Sequence, residues 1–193
     1  MSNILGVIIA YLLGSISCAI LISKYLKLPD PRNEGSGNPG ASNILRTAGK
    51  NKAVLVLVGD ILKGLLAVLI ARIIGVEGFM LGLVALAAVA GHVFPLFFKF
   101  KGGKGVATMV GTLIMLSFWT GLLVAAVWVA VAFIFRFASL ASLVAAVCAP
   151  IFMLIFGNHL YAFPVLLITA LVVWKHMDNI KRLMNGTEAK IQF

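Results

Sequence analysis

The sequence predicts an all-α integral membrane protein, a bundle of seven transmembrane helices that forms one domain over residues 1–193. Hydrophobic residues make up 62% of the chain and charged residues only 11%, whereas soluble domains are about half apolar and about a quarter charged. A membrane-spanning helix needs about 20 apolar residues. The chain divides into six or seven such segments with short connections, which leaves no room for a separate soluble domain.

The apolar segments, taken in order, define the predicted spans. The first segment lacks a basic region before it and a small-residue cleavage site behind it, so we expect it to be retained and not removed as a signal peptide. The run at 106–135 is too long for one span, and small polar residues near 118–121 favour a break into two compact helices. The predicted spans are 4–24, 53–74, 79–98, two helices within 106–135, 138–156 and 160–174.

The distribution of basic residues predicts the orientation. With seven spans, all of the sixteen Lys and Arg except Lys63 and Arg72 fall on one side of the membrane. The positive-inside rule makes that side the cytoplasm, with the N-terminus outside and the C-terminus inside. Six spans would place the basic tail outside, which argues against that count.

The composition also argues against a nucleic-acid-binding protein and against a metal site. The net charge of +10 could indicate a nucleic-acid partner, but the chain lacks the basic helix or aromatic and basic face that such proteins use. We therefore expect no nucleic acid. Cys18 and Cys148 lie in apolar segments, far from any metal-ligand spacing, which indicates packed thiols and no metal site.

The first polar segment, residues 34–43, is rich in glycine, serine and asparagine. Glycine allows positive φ and close approach of a ligand, and successive N–H groups in such turns bind anions. Ser42 or Asn43 is the predicted N-cap of a helix that begins at Ile44. Arg46 would then lie in the first turn, where the helix dipole disfavours a cation, which indicates an anion nearby. The candidate phosphate-binding residues are Ser36, Gly37, Asn38, Gly40, Ala41, Ser42, Asn43 and Arg46.

The second polar segment, residues 101–108, is a glycine loop that opens a helix. It resembles only the end of a Walker A motif, because Phe98 and Gly105 stand where that motif needs Gly and Ser or Thr, so an NTPase is excluded. Lys104 lies between glycines and can reach a phosphate as a mobile point charge. Lys99 and Lys101 are expected to extend to lipid headgroups. The candidate binding residues are Gly102, Gly103, Lys104, Gly105 and Thr108.

The third polar segment, residues 176–188, follows the last span. His176 and Asn179 share a helical face that Arg182 continues, and Glu188 lies beyond it. Alone, this segment would indicate a solvated helix end. Beside two anion-suited loops on the same side of the membrane, it predicts a ligand-facing edge, and Ser142 in the sixth span is expected to line the same pocket.

Asp60, Lys63 and His92 fall inside the predicted spans. Asp60 and Lys63 are spaced i, i+3, and charges within a membrane segment are either functional or paired. An ion pair that braces helix packing and a role in the site are both compatible with this spacing. For His92, a buried hydrogen-bonded histidine is favoured over a catalytic one.

The polar segments together resemble the bacterial membrane acyl-phosphate:glycerol-3-phosphate acyltransferases, the PlsY type. The resemblance covers the whole chain, and its one departure is Ser42, where the family often has threonine. It is carried by Gly-Ser-Gly-Asn-Pro-Gly-Ala-Ser-Asn at 35–43 with Arg46, by Asp60 with Lys63 and Gly64, by Gly-His-Val-Phe-Pro at 91–95, by Lys-Gly-Gly-Lys-Gly-Val-Ala-Thr at 101–108, and by His176, Asn179, Arg182 and Glu188.

The resemblance implies transfer of a fatty acyl group from acyl phosphate to glycerol 3-phosphate, which gives lysophosphatidic acid and phosphate in the first step of bacterial phospholipid synthesis. It also implies an active site on the cytoplasmic face of the inner membrane, with the second segment serving glycerol 3-phosphate. We expect no cofactor, since acyl phosphate is already an activated anhydride, and a monomer in contact with membrane lipid. The expected catalytic residues are Ser36, Arg46, Lys104, His176 and Asn179.

Two alternatives concern the chemistry and the class of protein. In the expected reaction, the hydroxyl of glycerol 3-phosphate attacks the acyl phosphate directly, without a covalent acyl-enzyme. Either His176 or the departing phosphate accepts the proton of that hydroxyl. A transporter of a phosphorylated metabolite would also need a basic site, but its polar residues would meet at the membrane midplane between repeated halves. A non-catalytic lipid-binding scaffold does not explain three anion-suited segments.

Overall fold

Ten α-helices and no β-strand occur in residues 1–191, the part of the chain that this computed structural model describes. Short 3₁₀ turns at Leu96–Phe98 and His159–Tyr161 connect some of them. The all-helical prediction is therefore confirmed for these residues. The helices are α1 Ser2–Gly14, α2 Cys18–Tyr25, α3 Ala41–Ala48, α4 Lys50–Ile73, α5 Gly78–Val93, α6 Val106–Leu116, α7 Phe118–Phe135, α8 Ala138–Phe156, α9 Ala162–Lys175 and α10 Met177–Met184.

Four to six spans are long and apolar enough to cross a membrane within the described chain. The four are α4, α5 with its following turn, α7 and α8, and two bent pairs, α1–α2 at 42° and α9–α10 at 57°, raise the number to six. The seventh predicted segment, α6, has 11 residues and is about 16 Å long, about half the thickness of the hydrocarbon layer. The membrane architecture is confirmed, and the count of seven spans stays a prediction.

Serine residues mark two of the breaks within the predicted apolar segments. The Ser15 hydroxyl donates to Tyr11 O at 2.8 Å where α1 ends. Between α1 and α2, Ile16 O accepts a hydrogen bond from the Lys63 ammonium at 2.6 Å. The break predicted near 118–121 falls at Ser117, which has extended backbone angles and accepts from Thr120 N as the N-cap of α7. A serine that caps the following helix therefore ends α6 slightly earlier than expected.

Glycines let the helices pack with their backbones in contact. A Cβ at Gly64 of α4 would lie 2.3 Å from Thr108 O, and one at Gly111 of α6 would lie 2.0 Å from Ile61 O. The same relationship joins α1 and α5, where a Cβ at Gly14 would lie 2.1 Å from Ala88 O. Small residues allow this approach between helices in lipid. The α4–α6 contact therefore sets where the second polar segment, which precedes α6, is placed.

The start of α6 is recessed along α4. Arg72, near the end of α4, donates to Leu116 O at the end of α6 at 3.3 Å, so the two helices run in the same direction. They meet near Ile61 and Gly111, and each rises 1.5 Å per residue, which places the start of α6 roughly 9 Å further along α4 than Lys50. Gly103 and Gly105 of the glycine loop before α6 are accordingly buried, whereas Lys101 at the start of the loop is exposed.

The first polar segment is held by a small apolar cluster of its own. Ile44 of α3 is buried together with Ala19 of α2 and Ala53 and Val56 of α4. The larger core lies mainly between α4, α5, α6, α8 and α9. Because α3 is anchored by Ile44, the loop before it is carried on a rigid support.

Candidate functional site

Asn43 organises the first polar segment. Its side-chain oxygen accepts from Ser36 N at 2.9 Å, and its amide nitrogen donates to Pro31 O and Glu34 O, both at 2.9 Å. Gly35 has a φ of 58° and Gly37 one of 70°, a region that favours glycine. Asn43 is buried, so the loop closes around its amide group.

The predicted start of the helix after this loop is wrong. The N-cap of α3 is Gly40, and the helix begins at Ala41 and not at Ile44. Neither Ser42 nor Asn43 caps it, since the Asn43 side chain is used by the preceding loop. Arg46 consequently lies in the last turn, where a cation is favoured by the helix dipole. The argument that the dipole requires an anion beside Arg46 is therefore also wrong.

The start of α3 is nevertheless open to a ligand. Asn43 N and Ile44 N both bond to Gly40 O, so the N–H groups of Ala41 and Ser42 precede the first hydrogen bond of the helix. In the preceding loop, residues 32–38 and Gly40 are exposed or half-buried. The Arg46 side chain is exposed and has no hydrogen bond or ion pair with residues 1–191. The segment therefore presents free donors and a free cation.

Gly103 joins the second polar segment to the first. Its N–H donates to His92 O at 3.2 Å. A Cβ at Gly103 would lie 2.3 Å from His92 Nε2 and 3.1 Å from Pro39 O of the first segment. Gly102 is equally confined, since its Cβ would lie 2.1 Å from His92 O, while Gly105 has a φ of 86° and caps α6. Each glycine of this loop is therefore needed for close approach or for its backbone angle.

Lys104 joins the second segment to the third. Its ammonium donates to the side-chain oxygen of Asn179. The Asn179 amide in turn donates to Glu188 Oε1 at 2.6 Å, and Arg182 Nε donates to Glu188 Oε2 at 2.7 Å. Four predicted site residues thus form one chain of hydrogen bonds between two segments.

His176 lies at the bend between α9 and α10 and is only 2% exposed. Its Nδ1 is 2.7 Å from Val172 O. A carbonyl oxygen only accepts, so Nδ1 carries the hydrogen, and in the neutral ring Nε2 has the lone pair. The charges of Lys104 and Glu188 act on this ring electrostatically. His176 is therefore arranged to accept a proton at Nε2.

The pKa values of Lys104 and Glu188, which both lie outside the helices, are shifted. Burial lowers the pKa of Lys104 to about 8, because the charged ammonium is removed from water, and the nearby Glu188 opposes this effect. Burial raises the pKa of Glu188, but neighbouring Ser139, Asn179 and Arg182 stabilise its carboxylate and hold the pKa below its usual value. Lys104 can thus lose its charge in weakly alkaline solution, whereas Glu188 stays ionised.

Two further predicted residues differ in their surroundings. Ser142 donates to Ala138 O at 2.7 Å and accepts from Trp128 Nε1 at 3.0 Å, so it packs α8 against α7 and has no hydrogen bond to the three polar segments within residues 1–191. Thr108 is buried beside the glycine loop, and its hydroxyl has no hydrogen-bond partner within those residues. Thr108 therefore keeps a free donor next to the loop, while the Ser142 hydroxyl is already engaged.

A brace between the residues just before the first two polar segments was not foreseen. Arg32 Nη2 pairs with Asp30 at 2.6 Å, and Arg32 Nη1 donates to Phe98 O at 3.4 Å. Lys99 and Lys101, expected at lipid headgroups, help to line a groove of about 380 Å³ beside this brace. The Asp-Pro-Arg sequence at 30–32 could have indicated this ion pair, because the side chains of Asp30 and Arg32 are two residues apart and can meet across a turn.

Asp60 and Lys63 form an ion pair inside the bundle. Lys63 Nζ is 2.9 Å from Asp60 Oδ1, and both side chains are buried. His92 is also buried, and its Nδ1 lies 2.9 Å from the same ammonium. Of the three, His92 is in contact with Gly102 and Gly103 of the glycine loop.

Comparison with known proteins identifies relatives along the whole chain. The family model described as glycerol-3-phosphate acyltransferase matches residues 4–186. A glycerol-3-phosphate acyltransferase of Coxiella burnetii (strain Dugway 5J108-111) is 57% identical over 192 residues, which cover 100% of both chains. One of Thioalkalivibrio sulfidiphilus is 49% identical over 183 residues, 94% of this chain and 90% of that relative.

Two solved structures are similar to this one. The crystal structure of PlsY (YgiH), an integral membrane glycerol 3-phosphate acyltransferase, in its glycerol 3-phosphate form has a TM-score of 0.93 and 41% sequence identity. The lysophosphatidic acid form has a TM-score of 0.91 and 40% identity. Each comparison covers 100% of this chain and 96% of the other.

Proposed function

Because the chain belongs to the glycerol-3-phosphate acyltransferase family, we propose that it transfers a fatty acyl group from acyl phosphate to a hydroxyl of glycerol 3-phosphate. An ester bond forms between the glycerol oxygen and the acyl carbon, and the bond from that carbon to the phosphate oxygen breaks. The products are 1-acylglycerol 3-phosphate and phosphate. No redox partner is needed, because the anhydride bond supplies the driving force.

The observation that carries this proposal is the meeting of three polar segments. Gly103 lies against Pro39, and Lys104 donates to Asn179. Two phosphorylated substrates bring two groups of like charge together, which requires cations and N–H donors held in place beforehand. Lys104, which is held by Asn179, and the free amides at the start of α3 are donors of this kind, and Arg46 is a further, exposed cation.

The proposed catalytic residues are distributed over all three segments. Ser36 and Arg46 come from the first, Lys104 from the second, and His176 and Asn179 from the third. The proposed substrate-binding residues supply backbone amides, small side chains and the acidic partner that orients Asn179. They are Gly37, Asn38, Gly40, Ala41, Ser42, Asn43, Gly102, Gly103, Gly105, Thr108, Ser142, Arg182 and Glu188, of which Ser142 has the weakest support because its hydroxyl bonds to Ala138 and Trp128.

Two routes are available for the proton of the attacking hydroxyl. In the first, His176 accepts it at Nε2, which the hydrogen bond from Nδ1 to Val172 O leaves unprotonated in the neutral ring. In the second, the departing phosphate accepts it, and the protein contributes mainly the alignment of the two substrates. Both routes have direct attack and no acyl-enzyme.

We further propose that the protein lies in the bacterial inner membrane with seven spans, its N-terminus outside and the three segments facing the cytoplasm. The basic residues favour this orientation. The recessed start of α6 supports a site in which the phosphates enter from the water and the acyl chain extends between helices. The donor and acceptor can then meet at the membrane boundary.

The test uses the purified protein in detergent with acyl phosphate and radiolabelled glycerol 3-phosphate. Labelled lysophosphatidic acid, formed together with inorganic phosphate, is the expected result. Acyl-CoA and acyl carrier protein serve as competing donors in parallel reactions. Product from either thioester alone would contradict the proposed donor. Uptake of label into vesicles without lipid product would indicate a transporter.

A further inference from the structure

The Asp60 cluster, defined here as Asp60, Lys63 and His92, consists of titratable side chains that the proposed reaction does not use. Their exposed fractions are 2%, 6% and 7%. Removing charges from water inside a membrane bundle is costly unless they are paired. The ion pair between Asp60 and Lys63 offsets part of this free-energy cost. It does not explain why His92 contacts the Lys63 ammonium as well.

The lysine determines the hydrogen position on the histidine ring. Lys63 Nζ lies 2.9 Å from His92 Nδ1 and 2.6 Å from Ile16 O. An ammonium group only donates, so Nδ1 accepts and the ring is neutral with its hydrogen on Nε2. Asp60 Oδ1 is 3.6 Å from the same Nδ1. Without the lysine, that carboxylate would favour a hydrogen on Nδ1 instead.

The opposite side of the ring faces the glycine loop. His92 O accepts from Gly103 N at 3.2 Å, and a Cβ at Gly103 would lie 2.3 Å from His92 Nε2. The backbone and the ring of His92 therefore both confine Gly103. The next residue is Lys104, whose ammonium reaches Asn179. A displacement of His92 would thus move the lysine that is proposed to bind phosphate.

We infer that His92, oriented by Lys63 and Asp60, is a positioning residue that holds the glycine loop 101–105 so that Lys104 meets the phosphate of glycerol 3-phosphate. The inference rests on the proposed function. It assigns the cluster more than a bracing role, because bracing of α4 requires only the ion pair. The contacts of Gly103 with the ring and the carbonyl oxygen of His92 are what positioning requires.

The first test compares two replacements of the histidine. Glutamine places an amide N–H near the position of Nε2, whereas asparagine places its polar atoms near Nδ1 and leaves the side toward the loop empty. We expect His92→Asn to raise KM for glycerol 3-phosphate about tenfold, as a small misplacement of a binding group does, and to leave KM for acyl phosphate unchanged. His92→Gln should restore most of the loss.

The second test replaces the lysine, with a matched control on the same helix. Lys63→Met and Arg72→Met each remove a cation of α4 that donates to a backbone carbonyl, but only Lys63 contacts His92. We expect Lys63→Met to raise KM for glycerol 3-phosphate and Arg72→Met to leave it unchanged. If Lys63→Met fails to fold because Asp60 loses its partner, the His92 variants still decide the question, since they keep the ion pair.

The third test determines which ring nitrogen of His92 carries the hydrogen, and it does not depend on enzyme activity. In ¹⁵N-histidine NMR of the wild-type protein, we expect one neutral imidazole with hydrogen on Nε2, assigned by its loss in His92→Gln. A hydrogen on Nδ1 would overturn the inference, as would equal KM values for wild type, His92→Gln and His92→Asn. Absence of acyl transfer in the wild type would instead overturn the proposed function, and the NMR result would still test the ring.

Discussion

Lys104 and Asn179 are 75 positions apart in the chain and are joined by a hydrogen bond from the lysine ammonium to the asparagine side-chain oxygen. Asn179 also donates to Glu188, so its amide group is held from both sides. The contact connects the loop before α6 with α10, two segments that are far apart in the chain. It places a cation from one segment and a rigid amide from another at the same point.

Replacing this lysine tests whether the contact point is the phosphate site. We expect Lys104→Met to lower kcat/KM for glycerol 3-phosphate about 100-fold, because a charge-assisted bond to phosphate is lost from a buried position. Steady-state kinetics in detergent provides the measurement. The control is Lys181→Met, an exposed lysine of α10. Equal kinetics for the two variants would contradict the assignment of Lys104.

The lowered pKa of Lys104, about 8, predicts a dependence on pH. Below that pH the ammonium is charged and binds phosphate, and above it the charge is lost, so KM for glycerol 3-phosphate should rise as the pH increases through 8. Bound phosphate stabilises the charged form of Lys104, so kcat should fall only at a higher pH than the one at which KM rises. Lys104→Arg keeps its charge and should remove this rise. A rise that persists in Lys104→Arg would have another origin.

Arg46 is the exposed cation of the first segment. Because it has no partner among residues 1–191, Arg46→Ala should leave the melting temperature unchanged. We expect kcat/KM to fall about 100-fold, since a cation that meets only the substrate acts in binding and in the transition state. Lys50→Ala, an exposed cation of the neighbouring helix, is the control. Full activity of folded Arg46→Ala would refute its assigned role.

His176 separates the two proton routes. If the imidazole is the base, His176→Ala should lower kcat about 100-fold, the usual contribution of a general base, with KM for glycerol 3-phosphate unchanged. We expect this result because Nδ1 is fixed by Val172 O and the ring is oriented in advance. Single-turnover kinetics measures the chemical step directly. Undiminished turnover would assign the proton to the departing phosphate.

Gly103 tests the contact between the first two segments. A methyl group there would lie 2.3 Å from His92 Nε2 and 3.1 Å from Pro39 O, so Gly103→Ala should displace the loop and abolish most of the activity. The expected loss of stability is about 1–3 kcal/mol, typical of overpacking. Gly186→Ala is the control, because its Cβ would meet nothing within 4 Å despite a φ of 69°. Similar activity in both variants would argue against the close contact.

The apolar segments and the polar clusters were predictable from the sequence, and the family to which they pointed is confirmed. Local details were less predictable. Asn43 is a residue type typical of N-caps, but its side chain bonds to three groups of the preceding loop. Gly40 is instead the N-cap of α3, and Arg46 lies in the last turn of that helix. A capping residue has the same local pattern whether it serves the following helix or the preceding loop.

By itself the sequence determined that this chain forms apolar helices in a membrane and which polar residues are available for chemistry. Hydrophobicity and length decide the first, and residue type decides the second. Only the tertiary structure decided that Gly103 touches His92 and Pro39, that Lys104 reaches Asn179, and that the Ser142 hydroxyl is engaged between helices. These contacts depend on how closely the helix backbones approach at glycines, and that distance results from packing between segments far apart in the chain.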